Sequence, residues 1–210
     1  MNELATTIDN PPAAPAAPAA PQRPMSAMEA WARDARAISQ IAQSLSNTNF
    51  AGTLRGKPEE VTAVILAGHE LGLKPMASLK AIDIIQGTPA LRAHAMRALV
   101  LSHGHEMELV ESTPTKCVMR GRRKGSEAWQ QVEWTIERAA QMKLTEKTEW
   151  LKQPQTMLVA RATGELSRLI AADILHGLAY VAEELEGTAY AEVVPAARPR
   201  LSVAELGNLQ

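Results

Sequence analysis

Residues Trp150 to Leu185 read W-L-K-Q-P-Q-T-M-L-V-A-R-A-T-G-E-L-S-R-L-I-A-A-D-I-L-H-G-L-A-Y-V-A-E-E-L. Pro154 suits the first turn of a helix, where its missing amide hydrogen would have no intrahelical acceptor, and Gly177 supplies a stop. The spacing therefore predicts a helix of roughly six turns. Val159, Thr163, Leu166 and Ile170 gather on one side as a core-facing stripe. Arg161 and Arg168 lie seven positions apart, about 20° in projection, so they share another face with Gly164 between them. This places a two-pronged cationic edge opposite the core.

Working outward, the preceding residues supply something for that stripe to cover. Glu106 to Ser112, Lys116 to Arg120 and Gln130 to Ile136 alternate in the manner of strands, with breaks at Thr113-Pro114 and Gly121 to Ser126. Ile82 to Ile85 and Ala90 to Arg92 read as a hairpin around Gln86-Gly87-Thr88, followed by a helix over Ala93 to Ser102. Further helices are expected from Pro58 to Gly72, from Glu137 to Met142, and over the amphipathic run Met28, Trp31, Ala35, Ile38, Ile41, Ala42 and Leu45. The fold class is α+β, a small antiparallel sheet flanked by helices with the long helix packed on it. Residues 1–25 read as a disordered Pro/Ala-rich tail, because the repeat over Pro11 to Pro24 favours an extended spacer. Residues 26–187 form the folded domain, and 188–210 a flexible tail.

The quoted segment resembles the signature helix of the RecT family of phage single-strand annealing proteins. Trp150, Pro154, Met157, Leu158, Arg161, Ala162, Arg168, Asp173, Gly177, Tyr180, Glu183, Glu184 and Leu185 fill the family pattern. His69-Glu-Leu-Gly-Leu-Lys-Pro-Met76, Ile82 to Pro89, Met96 to Val100 and Gly104-His105 are similar to its upstream half. Gln153 stands where many relatives carry an aromatic, and Ala171-Ala172 replace a Phe-Pro; neither change removes a charge that would hold a phosphate. The resemblance implies ATP-independent binding and annealing of complementary single-stranded DNA in phage-type recombination. It further implies a homo-oligomeric ring or filament, a partner exonuclease, contact with a host single-strand-binding protein, and a bacterial cytoplasm as the place of action.

The chain has a net charge of −1, which hides an asymmetry. Residues 55–168 hold 17 Lys and Arg against 13 Asp and Glu, and residues 169–210 hold 2 against 6. A basic core with an acidic end suits a nucleic-acid partner better than the bulk charge suggests. The strongest phosphate candidates are Arg161, Arg168, Lys152 and the basic hairpin Lys116, Arg120, Arg122, Arg123 and Lys124, five cations within nine residues lacking any acid. Lys74, Lys80, Arg92 and Arg97 are weaker ones. A bland reading competes for each site: Arg161 pairing with Glu165 one turn on, and the hairpin as a solvated sheet edge.

Enzymatic motifs fail on inspection. His69-Glu70 has Leu73 where a zinc-protease helix needs its second histidine, and Gly56-Lys57 lacks the remainder of a phosphate-binding loop. No catalytic residue, metal or cofactor is therefore expected. The single Cys117 reads as a small apolar strand residue, and no apolar run approaches the roughly 20 residues that span a bilayer. Aromatic residues make up only 3% of the chain, so a grip on phosphates that leaves bases free fits better than a row of stacking platforms. The rival function is a phage accessory protein whose helices dock a protein partner, without DNA annealing.

Overall fold

The computed structural model describes residues 25–185. The Pro/Ala spacer and the tail expected over 188–210 lie outside the described residues. The fold is α+β, with two small antiparallel sheets among helices and one long helix near the C-terminal end.

Helix α1 (Ala27–Ser46) starts with a reciprocal cap. Ser26 Oγ accepts from the Glu29 amide at 3.2 Å, and the Glu29 carboxylate accepts from the Ser26 amide at 2.7 Å. Its second half packs Ile38 and Ala42 against Val61 and Ile65 of α2 (Pro58–Glu70), after a 3-10 segment at Asn49–Leu54. Met28 and Trp31, on the same stripe, stay 72% and 49% exposed. Helix α3 (Pro75–Ala81) crosses α2 so closely that a Cβ on Gly68 would overlap the Ser78 hydroxyl.

Strands β1 (Ile82–Ile85) and β2 (Thr88–Leu91) form a hairpin whose two turn residues, Gln86 and Gly87, both take positive φ. Helix α4 (Ala93–Ser102) follows, and its N-terminus has no cap from its own neighbours. Glu183 supplies one from ninety positions away, accepting the Ala93 amide at 3.1 Å, and a parallel bridge joins Leu91 to Val181 beside it.

The larger sheet runs β3 (Glu106–Ser112), β4 (Lys116–Arg122), β5 (Gln130–Thr135), in the order β3-β4-β5. Short helices α5 (Ile136–Gln141) and α6 (Thr148–Lys152) lead into α7 (Pro154–Ala171). Leu158, Ala162, Leu166 and Ile170 of α7 cover Met107, Cys117, Met119, Val132 and Trp134 of the sheet. The sheet comes this close because β4 has Gly121 at the crossing, where a Cβ would stand 2.9 Å from Ile170 Cδ1 and 2.6 Å from the Glu106 carbonyl. Ala160, on another side of α7, joins a second core with Val64, Leu91, Met96, Leu175 and Val181. The long helix is thus buried on more than one face, beyond the single stripe expected. It also ends earlier than Gly177: after Ala171 the chain tightens into a 3-10 turn (Ala172–Leu175), then passes through His176 and Gly177 at positive φ. A last turn, α8 (Ala182–Leu185), folds back onto α7.

Strand β3 is an edge, and it is sealed. Arg97 donates to the Met107 carbonyl at 3.3 Å, Gln155 donates to the Ser112 carbonyl at 3.0 Å, and the register slips between Leu109 and Glu111. Among the described residues no helix is long and apolar enough to cross a membrane.

Candidate nucleic-acid interface

Arg161 and Arg168 do share a face of α7 with Gly164, as their spacing requires, but that face is covered. The returning segment Ala179–Leu185 lies over it, and Glu184, 5% exposed, enters between the two arginines. Both Glu184 carboxylate oxygens take the Arg168 fork, at 2.8 and 3.1 Å, and Arg168 also donates to the Ala179 carbonyl at 2.9 Å. The space left by the missing Gly164 side chain is occupied by this carboxylate, so the cationic edge expected opposite the core is closed by an acid. Arg161 is itself 6% exposed, so it is no solvent-facing prong.

Arg161 is poorly satisfied where it sits. Among the described residues its one hydrogen bond is a 3.3 Å contact from Nη2 to the Glu184 carbonyl, and its buried Nε has no partner. Burial pulls its pKa down, Glu184 pushes it up, and the neighbouring Arg168 charge pulls it down again. The expected surface pair with Glu165 does not form. Glu165 instead accepts from Trp134 Nε1 at 2.7 Å and from Arg138 at 2.8 Å, while the Arg138 guanidinium stacks 4.0 Å from the Trp134 ring. Arg138, Arg161 and Arg168 thereby line one cleft of about 300 Å³ with Glu165, Glu184, Trp134 and the half-exposed Tyr180. Three guanidinium groups face two carboxylates. Arg138 was missed from sequence because it is the single cation of its short helix, with no second basic residue at helical spacing to mark a face.

The basic hairpin is compensated by acids from its neighbours. Register sets Glu106 opposite Arg122 and Glu108 opposite Arg120, and each pair closes at 2.7 Å. Lys116 lies 3.4 Å from both Glu111 and Glu133, Arg122 also reaches Glu127 at 3.5 Å, and Trp129 lies beside Arg120 and Arg122 at 4.7 and 5.1 Å. On this outer sheet face three cations meet five carboxylates. The turn is not a loose one either: Arg123 forks onto Asp173 at 2.8 and 2.6 Å, and the Lys124 amide donates to His105 Nδ1 at 3.0 Å. The nine-residue count found no acid because the acids lie outside it: on β3 and β5 across the sheet, at Glu127 beyond the turn, and at Asp173 after α7.

The weaker candidates divide. Arg92 is held by Asp83 through two 2.8 Å bonds, and Arg97 reaches the β3 edge. Lys80 places its ammonium 4.3 Å from the Phe50 ring centroid. Lys74, Lys124 and Lys152 are exposed. Lys74, Lys80, Arg97, Lys124 and Lys152 are in no ion pair among the described residues. His69 closes α2, and no group of three or more His, Cys, Asp or Glu among the described residues is placed to hold a metal ion. Cys117 is buried in the sheet core, and burial raises its thiol to about 11, which keeps it protonated and inert. Comparison of the chain with family models, curated proteins and solved structures returned no match.

Proposed function

We propose that this chain binds single-stranded DNA and anneals complementary strands without ATP, as a homo-oligomer acting in phage-type recombination in a bacterial cytoplasm. A nuclease that generates single strands and a host single-strand-binding protein would be its partners. The observation that carries this reading is Arg161. A cation held 94% out of water with an unbonded Nε is costly, and such groups concentrate where a ligand completes them. The excess of arginine over carboxylate in its cleft makes that ligand an anion. A phosphate has the charge and planar acceptor edge that Glu184 now offers Arg168, so it would compete for the same fork.

Two supports accompany it. The two sequence blocks that resemble the annealing family, separated by some forty residues, come together through the Leu91–Val181 bridge and the Glu183 cap. Candidate cations that are in no ion pair among the described residues, Lys74, Lys80, Arg97, Lys124 and Lys152, would add diffuse positive charge to the cleft's more rigid donors. Gripping phosphates while leaving base edges free is what annealing requires.

One observation favours the rival protein-docking reading: the outer sheet face is net acidic and carries exposed Leu109 and Val110 beside it. Electrophoretic mobility of a labelled single strand, with and without its complement, decides between them. A shifted strand converted to duplex supports annealing, and an unshifted strand at low salt overturns it.

A further inference from the structure

A second cleft, about 210 Å³, opens between the 3-10 segment Asn49–Leu54, the end of α3 and the β1–β2 hairpin. Phe50, the chain's only phenylalanine, stands half-buried in it. The exposed Lys80 ammonium rests 4.3 Å from the ring centroid. Arg92 forms another wall, its guanidinium plane fixed by the two bonds to Asp83. Gly52, at φ 57 and ψ −122, lines the opening, and a Cβ there would meet nothing within 4 Å. One aromatic face, an apolar wall at Leu54, and Lys80 and Arg92 beside Asp83 are therefore gathered, among the described residues, in a space that fits a single heterocycle.

We propose that this cleft holds one nucleotide of a bound strand, its base against Phe50 and its phosphate between Lys80 and Arg92. The ring supplies a stacking face that accepts any base. Lys80, on its flexible four-carbon stem, swings from ring to phosphate as the base replaces it, whereas Arg92 stays where Asp83 holds it. An acidic side chain from a protein would use the two cations and leave the aromatic face unused. In a chain with few aromatics, one stacked base per subunit would fix strand register and leave the neighbouring bases free to pair. This subsite rests on the reading of the chain as a single-strand binder.

The test uses the full chain and a short fluorescein-labelled oligo-dA, followed by anisotropy across a salt series. Phe50→Leu keeps the apolar volume and removes the ring; it should weaken binding roughly 5- to 150-fold, the loss expected for one stacked base, with the salt slope unchanged. Phe50→Tyr should restore wild-type affinity. Lys80→Gln should lower the log–log salt slope by about 0.7, one phosphate contact. Unchanged affinity in Phe50→Leu, or an unchanged slope in Lys80→Gln, overturns the subsite while leaving strand binding intact. A wild-type chain that does not bind the oligonucleotide at low salt overturns the parent reading, and the subsite with it.

Discussion

Glu184 grips Arg168 with both carboxylate oxygens directly above the bare backbone of Gly164, where a Cβ would stand 3.2 Å from Oε1. The pair is an internal ligand seated in a basic cleft. Glu184→Gln keeps the shape and removes the charge, leaving Arg161 and Arg168 without their acid. It should cost about 2 kcal/mol in stability, less than a fully buried pair because Arg168 is partly exposed, read as a lower urea midpoint. It should also tighten binding to single-stranded DNA. A variant that is less stable yet binds no tighter would show that the phosphate does not use this seat.

Arg161 and Arg168 differ from lysine in their planar forks, and both have fixed surroundings. The double substitution Arg161→Lys, Arg168→Lys retains charge but loses the bidentate contact to Glu184 and to any phosphate. It should anneal at least tenfold more slowly while keeping a native circular dichroism spectrum. Annealing at the wild-type rate would reduce these groups to diffuse charge.

The hairpin should matter less than its composition suggests. Replacing Arg122, Arg123 and Lys124 by Ala removes three cations but also frees Glu106, Glu127 and Asp173 from their partners. Because two of the three cations are already compensated, the salt slope should fall by less than about 0.7, one phosphate contact's worth. A drop near two units, measured by anisotropy over a salt series, would make the hairpin a main strand contact after all.

Two acid-sensitive groups meet at Arg123. His105 is buried, accepts the Lys124 amide through Nδ1, and has its pKa lowered from 6.5, first by burial and then by the Arg123 charge. Asp173 is lowered from 3.8 to about 2, chiefly by its hydrogen bonds from Arg123. In both cases the unfolded chain takes up protons first as pH falls. The His105 contribution is therefore complete above pH 6.5 and erodes below it. The Asp173 contribution is complete above pH 3.8 and is lost toward pH 2. Urea midpoints against pH should decline in those two windows, and Asp173→Asn should shrink the lower decline, to which the lowered Glu29 and Glu137 also contribute, while keeping the upper.

Glu183 is the N-terminal cap that α4 lacks locally. Glu183→Ala should lower stability by about 1 kcal/mol, the usual worth of a helix cap, and Glu183→Gln should recover part of it. Thermal melts of the three chains give the order directly.

Local chemistry made most of the fold legible. Pro58 and Pro154 opened helices, Gln86-Gly87 closed a hairpin, and strand alternation located the three-stranded sheet to within two residues. Helices α3 and α6 went unread because seven and five residues are too few to show a period. The end of α7 was misplaced because Ala171 to Leu175 stays apolar and periodic while its backbone tightens. The site was half legible. Seven-residue spacing put Arg161 and Arg168 on one face, but whether that face meets water depends on Glu184, sixteen positions beyond Arg168, returning over it. The hairpin misled for a similar reason: Glu108 for Arg120, Glu106 for Arg122 and Asp173 for Arg123 lie 12, 16 and 50 positions away and Glu127 five from Arg122, all outside the run of cations that local counting covers.

The tie between Leu91 and Val181, with Glu183 on the Ala93 amide, bears on how this protein is made. During synthesis the β1–β2 hairpin and α4 leave the ribosome long before residues 181–185 do. Until that late segment emerges, α4 has an unbonded first turn and β2 a bare edge. The early half of the domain must therefore wait, half-formed, for the last few residues of the late half. A chain released before position 181 would lack the Arg168 counter-charge and the α4 cap together, so truncation there should yield material for proteases rather than a smaller working protein.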